Sequence, residues 1–236
     1  MSSPGALVMN SYINVIAIVE GKTEQVFIEQ ILAPWLAERM IFMTATQVSK
    51  PGQKGGDVRF SRVSRDIGLH LKQRTDTYVT TLVDYYGVTE WPGMDSLPAL
   101  RAPAQIAEHL NTAVMNEVNN LFAEQQSARR FIPFIALHEF EALLFSDSSI
   151  LAEELGIPVA NVEAVVAECG EPEAINNGRE TAPSKRLNRW TPEGKFGKTT
   201  QGITIAKRIG ITSMREQCPL FNAWIARFEA LMVESA

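Results

Sequence analysis

Cysteine is scarce in this chain: Cys169 and Cys218 are two thiols in 236 residues. They offer neither a disulfide framework nor the paired spacing of a zinc site. No window approaches the roughly 20 apolar residues that a membrane span requires, so no membrane partner is expected. The opening MSSPGALVMNSY has no basic residue leading into an apolar stretch, which argues against a secretory signal and for a cytoplasmic chain. Internal repeats and low-complexity tracts are also missing.

Overall positive charge is lacking too, since the formal net charge is −5. Taken alone this argues against a nucleic-acid partner, but the charge is segregated along the chain. Residues 179–208 carry Arg179, Lys185, Arg186, Arg189, Lys195, Lys198, Lys207 and Arg208 against Glu180 and Glu193, a net of +6. Residues 50–74 carry Lys50, Lys54, Arg59, Arg62, Arg65, Lys72 and Arg74 against Asp57 and Asp66, a net of +5. The remainder therefore sums to −16, and a basic groove on an acidic protein is permitted, because local field decides whether phosphate is attracted.

A last absence concerns glycine. IVEGKTEQ (residues 18–25) contains Gly-Lys-Thr, but a phosphate-cradling loop needs a second glycine five positions before its Gly-Lys. Ile16 stands there, inside an apolar run. The second Gly-Lys-Thr, at Gly197, has Pro192 at that position and fails in the same way. A P-loop ATPase is excluded, and attention moves to Glu20.

What is present reads as alternating elements. YINVIAIV (12–19) is an apolar, β-branched run of the kind found in strands covered on both faces. Phe27, Ile28, Ile31, Leu32, Trp35 and Leu36 then fall at helical spacing, with Thr23 as expected N-cap and Glu24 in the first turn, where the helix dipole favours an acid. IFMTATQV is a second strand, SKPGQKGGD a loop, and VRFSRVSRDIGLHLKQ an amphipathic helix weakened by Gly68. YVTTLVDYYG is a strand ending on Asp84, AQIAEHLNTAVMNEVNNLFAEQQ a long helix, and RFIPFIAL a strand running into a helix that starts near Glu139. The expected fold is therefore α/β, a mostly parallel Rossmannoid sheet with helices on both faces over residues 1–145. Residues 146–236 are expected to form a helical, loop-rich region packed on that core.

In a parallel sheet the carboxyl ends of the strands share one rim, where ligands bind. Glu20 and Asp84 would converge there if their strands are neighbours. Two close carboxylates repel unless they share a proton or a cation, and Mg²⁺ or Mn²⁺ is the usual hard-cation resolution. The competing reading is that Glu20 caps a helix and Asp84 makes a turn. In HEFEALLFSD, Phe140, Leu143 and Leu144 are expected to face the core and Glu141 to lie on another face. His138, Glu139 and Glu141 fall near the same rim. SKRLNRWTPEGKFGKTT offers Lys185, Arg186, Lys195 and Lys198 for phosphate contact, with Trp190 and Phe196 available for stacking on bases. Cys218, before Pro219, is expected to pack rather than react.

VEGKTEQVFIEQIL resembles the first motif of Toprim domains, an apolar strand ending in Glu-Gly with a second acid four residues on. TLVDYYG resembles the second, an apolar strand ending in Asp-x-Asp, except that Tyr86 replaces the second aspartate. With HEFEALLFSD, SKRL and CPLFNAW, these segments resemble a bacterial Toprim-like family of uncharacterised proteins, often encoded beside ATPases in anti-phage abortive-infection systems, over about residues 12–230. The resemblance implies a metal-dependent nuclease-like effector on DNA or RNA. It casts Glu20 as general acid or base, Asp84 as a metal ligand and Glu24 as a second-metal ligand, by analogy with overcoming-lysogenisation-defect nucleases. From its place after the strand RFIPFIAL, Glu141 or Glu139 is the acid positioned to supply the carboxylate that Tyr86 does not. It also implies an ATPase partner. The alternative is a catalytically degenerate subunit that binds nucleic acid or a partner.

Overall fold

The computed structural model describes residues 12–49, 58–97, 102–175, 178, 180–192 and 194–234. Lys50, Lys54, Asp57, Arg179 and Glu193, which entered the charge count above, lie outside the described residues, as does most of the SKPGQKGGD loop.

The chain alternates as its patterning requires. β1 (Ile13–Val19) leads into α1 (Lys22–Phe27), which continues through a π-helical turn (Ile28–Leu32) into α2 (Ala33–Ala37). β2 (Ile41–Gln47) and the short β3 (Val58–Arg59) precede α3 (Phe60–Gln73) and β4 (Thr77–Asp84). β5 (Val88–Thr89), α4 (Pro103–Phe122), α5 (Ser127–Arg130), β6 (Phe131–Ile132) and β7 (Ile135–Ala136) complete the sheet half. α6 (Ser148–Leu155), α7 (Val159–Cys169), α8 (Pro183–Trp190), α9 (Ile203–Gln217) and α10 (Pro219–Glu234) follow. The main sheet has the order β2-β1-β4-β6, with β7 also on β4 and every pair parallel. β3 and β5 form a separate parallel pair.

Both faces of the sheet are covered, which is why β1 is apolar without regular polar alternation and why Thr80 and Thr81 of β4 are buried with their hydroxyls donating to the Ile132 and Phe134 carbonyls. Val15, Ala17 and Val19 of β1 share one buried cluster with Phe27 and Leu32 and with Ile205, Phe221, Trp224 and Phe228 of α9 and α10. Ile18 of β1, with Val79 and Val83 of β4, packs on the other side against Val63, Ile67, Leu110 and Val114 of α3 and α4. The C-terminal helices thus build the core on one face of the sheet.

Four local expectations are corrected. The N-cap of α1 is Gly21 rather than Thr23, and Glu24 serves the cap, accepting the Gly21 N–H through Oε2 at 3.2 Å. Val58 and Arg59 are strand rather than the first residues of α3. RFIPFIAL is two strands, because Pro133 has no N–H for the ladder. Around that break Thr81 Oγ1 donates to the Phe134 carbonyl at 3.1 Å and accepts the Phe134 N–H at 3.0 Å. Finally, Phe140–Ser146 is a 3₁₀ helix. Its three-residue repeat aligns Glu141 with Leu144, so the acid turns inward and is 1% exposed. Gly68, which weakens α3 as a sequence, has a packing reason: a Cβ there would lie 2.5 Å from the Phe122 ring of α4.

Candidate functional site

Glu20 directly follows β1, Asp84 ends β4, and the two strands are hydrogen-bonded neighbours. The adjacency assumed from the sequence is therefore real, and it brings the Glu20 carboxylate to the end of β4: the Asp84 backbone N–H reaches Glu20 Oε2 at 3.4 Å. The turn after β4 is closed by the Tyr86 N–H donating to Asp84 Oδ1 at 2.9 Å and the Gly87 N–H donating to the Asp84 carbonyl at 3.0 Å. Gly87 has a second role that its position as a chain breaker does not reveal. A Cβ at residue 87 would stand 2.5 Å from Glu20 Oε2, so the missing side chain is the space that the Glu20 carboxylate occupies.

Beneath this edge lies a small cavity whose lining includes Glu24, Asp84, His138, Glu139 and Glu173 among apolar side chains such as Phe27, Phe134 and Phe221. Burial, reinforced by the negative charges of Glu20, Glu139 and Glu24, pushes the Asp84 carboxyl up to about 7, against the Tyr86 N–H that favours its charge. The Glu24 carboxyl is also raised, first by burial and then by Glu20, while Lys198 and its cap hydrogen bonds oppose the shift. His138 is buried and its imidazole is held towards the neutral form by desolvation. Its Nδ1 has no hydrogen-bond partner among the described residues, and its ring stacks on Tyr86 at 5.8 Å.

Lys198 belongs to this site, although its sequence context suggests a phosphate-binding loop. It opens the π-helical turn Lys198–Gly202 before α9, and its Nζ stands 2.8 Å from Glu141 Oε1 and 3.5 Å from Glu139 Oε1. Burial raises the Glu141 carboxyl, with Lys198 opposing that shift. Desolvation alone would lower the Lys198 ammonium, but Glu141 and Glu139 more than offset it, and its pKa is raised. Glu139 rather than Glu141 is the acid of HEFE whose charge bears on Asp84.

The other basic residues of that stretch lie apart. Lys185 and Lys195 are exposed, whereas Arg186 donates through Nε to the Thr181 carbonyl at 2.9 Å and pairs with Glu168 at 3.8 Å. Phe196 is buried, and Trp190 packs against Phe145 with ring centroids 5.9 Å apart, so both aromatics anchor the segment to the core. Cys218 is buried beside Ser146, and burial pushes its thiol up, as expected of a packing residue.

The donors at the edge are carboxylate oxygens, the chemistry of a hard cation. Among the described residues, however, no three His, Cys, Asp or Glu side chains are arranged to hold a metal ion. Mg²⁺ is commonly held by one or two carboxylates with water completing its shell, so the Glu20–Asp84 pair fits that ion better than one needing an all-protein cage. Tyr86, in the place of a further acid, is 55% exposed and contributes no carboxylate.

A parallel sheet covered on both faces, with acids gathered at its carboxyl edge, defines an α/β protein of Rossmann-like architecture. Within that class the chain belongs to the family described as a domain of unknown function, DUF4276, whose model matches residues 19–229. No curated protein and no solved structure matches the chain. Among the described residues no helix is long and apolar enough to cross a membrane.

Proposed function

We propose that the acid edge is a phosphodiester-cleaving centre that works with Mg²⁺ or Mn²⁺ on DNA or RNA, a Toprim-like nuclease site. The observation that carries this reading is the pairing of Glu20 and Asp84 at the ends of adjacent parallel strands, with the Asp84 N–H 3.4 Å from Glu20 Oε2. A divalent cation bound there supplies polarisation of a phosphoryl oxygen. Asp84 presents a ligand oxygen from the rigid end of β4. Glu20, lodged in the space left by Gly87, is the group that takes or gives a proton at the scissile phosphate. Glu24 has one oxygen in the helix cap and lends negative charge, and Lys198 steadies Glu139 and Glu141. The resemblance to abortive-infection proteins extends the proposal to an effector switched on by an ATPase partner.

A second reading is supported by Lys198, whose ammonium supplies positive charge within the acid cluster. In that reading the protein is a non-catalytic nucleic-acid or partner-binding subunit. The test is Mn²⁺ binding by calorimetry together with degradation of single- and double-stranded DNA and RNA. The catalytic reading expects stoichiometric Mn²⁺ binding that Glu20→Gln and Asp84→Asn each weaken at least about tenfold, and metal-dependent degradation that both abolish. Folded protein that binds no Mn²⁺ and degrades no nucleic acid would leave the subunit reading.

A further inference from the structure

A wide groove of about 1100 Å³ lies along α3, away from the Lys198 segment, lined by Ser49, Ser61, Arg62, Arg65, Leu69, Lys72 and Phe122, with Asp66 and Gly68 at its base. Its charge is one-sided. Among the described residues the one acid of the lining, Asp66, is 4% exposed and is occupied by the Ser49 N–H at 2.8 Å. Among the described residues neither Arg65 nor Lys72 is paired with a carboxylate, whereas Arg59 and Arg74, at the two ends of the helix, pair with Glu90 and Asp76. Two apolar groups interrupt the cations. Leu69 is 51% exposed, and the Phe122 ring lies under Lys72 Nζ, 5.6 Å from its centroid.

The groove is also connected to the acid edge. The Val48 N–H extends the β2–β1 ladder by bonding the Val19 carbonyl, immediately before Glu20, and Ser49 is the next residue. One wall of the groove therefore begins at the carboxyl edge of the sheet. Arg65 and Lys72 are seven residues apart, about 10 Å along a helix. A span of that order accommodates two consecutive phosphates of an unpaired strand, one at each cation.

We infer that the α3 groove, Arg65 and Lys72 above all, binds a single nucleic-acid strand through its phosphates, with Leu69 and Phe122 as the apolar floor on which bases rest. Cations tracking a backbone beside an apolar or aromatic platform are how unpaired strands are held without sequence preference. The inference takes its ligand class from the proposed function but concerns binding, so it is testable with cleavage switched off.

Fluorescence anisotropy of a labelled 12-nucleotide single strand, DNA or RNA, with full-length Glu20→Gln protein and no divalent metal reads it directly. The double charge reversal Arg65→Glu/Lys72→Glu is expected to weaken binding at least about tenfold. It should also make the salt dependence shallower by about 1.4 in log–log slope, two phosphate contacts on a single strand. Lys185→Glu/Lys195→Glu, a reversal of equal size elsewhere, is expected to change affinity less than about twofold. Unaltered circular dichroism excludes misfolding as the cause. The inference is overturned if the α3 reversal leaves binding unchanged, if the Lys185/Lys195 reversal is the damaging one, or if duplex or poly-glutamate competes as well as the single strand. Strand binding through α3 in a wild-type protein that cleaves nothing removes the catalytic reading and keeps the groove. Cleavage unaffected by the α3 reversal does the opposite.

Discussion

Asp84, half-buried, and Glu173, buried, line the same small cavity, and desolvation pushes each of their carboxyls up to about 7. Their surroundings differ. Glu173 accepts the Leu220 N–H at 2.7 Å and the Phe221 N–H at 3.0 Å, so both of its oxygens serve the first turn of α10. Asp84 has one backbone donor and faces the charges of Glu20, Glu139 and Glu24. A buried carboxylate whose lone pairs close a helix end is part of the framework. One surrounded by other carboxylates has electrostatic energy stored against it, and that is a mark of a functional site.

The largest effect expected from breaking this comparison is at Glu173. Glu173→Ala leaves two α10 N–H groups buried without acceptors and opens a cavity, a loss of about 3 kcal/mol in urea unfolding. Lys198→Met, which leaves Glu141 buried beside Glu139 without its cation, should cost about 2 kcal/mol, discounted because the lysine is 44% exposed. Asp84→Asn should move stability the other way, a gain of about 1 kcal/mol at pH 8, because it removes a charge that its neighbours oppose. If the asparagine variant is less stable than wild type, Asp84 is a framework residue like Glu173.

The two acids share a pH signature that a cation should separate. An acid whose folded pKa exceeds its unfolded value holds more protons folded than unfolded. Its stabilising contribution is fully present below about 4 for Asp84 and 4.5 for Glu173, and is lost as pH rises through about 7. Metal-free protein should therefore melt at a higher temperature at pH 5.5 than at pH 8. Asp84→Asn and Glu173→Gln should each flatten part of that slope. Adding millimolar Mg²⁺ at pH 8 should raise the melting temperature of wild type and of Glu173→Gln but not of Asp84→Asn. An equal rise in all three would place the cation elsewhere.

The smallest expected effect on stability is Gly87→Ala, under about 1 kcal/mol, since the residue sits in an edge turn. Its Cβ would nevertheless collide with the Glu20 carboxylate, so Mn²⁺ affinity by calorimetry should fall about as far as in Glu20→Gln. A variant that binds Mn²⁺ normally would show that Glu20 has room to retreat.

Much of this arrangement was legible before any coordinates. The apolar run of β1, the β-branched run of β4, the change to helical spacing after Gly21, and acids following or ending those two strands are local patterns, and local patterns report element type and covering. Glu20 and Asp84 were found that way. The Lys198 contact was not, because a lysine in a glycine-bearing, basic loop has the same local signature whether it faces solvent or an acid 57 residues away in the chain, as Glu141 is. Glu141 was placed on the wrong face because a 3₁₀ repeat and an α repeat look alike over seven residues and diverge only in which side chains align. Gly87 read as a breaker, since only the position of Glu20 shows what its absent side chain makes room for.

By itself, then, the amino-acid sequence determined the alternation of strands and helices, the parallel sheet, the rim on which Glu20 and Asp84 stand, and the absence of a second glycine that rules out a phosphate loop. Tertiary structure alone decided that Lys198 turns into the acid cluster, that Glu139 rather than Glu141 bears on Asp84, and that Arg65 and Lys72 on α3 have no carboxylate partner among the described residues. Periodicity is written in neighbouring residues, whereas charge pairing and burial depend on which distant segments the core brings within a few ångströms.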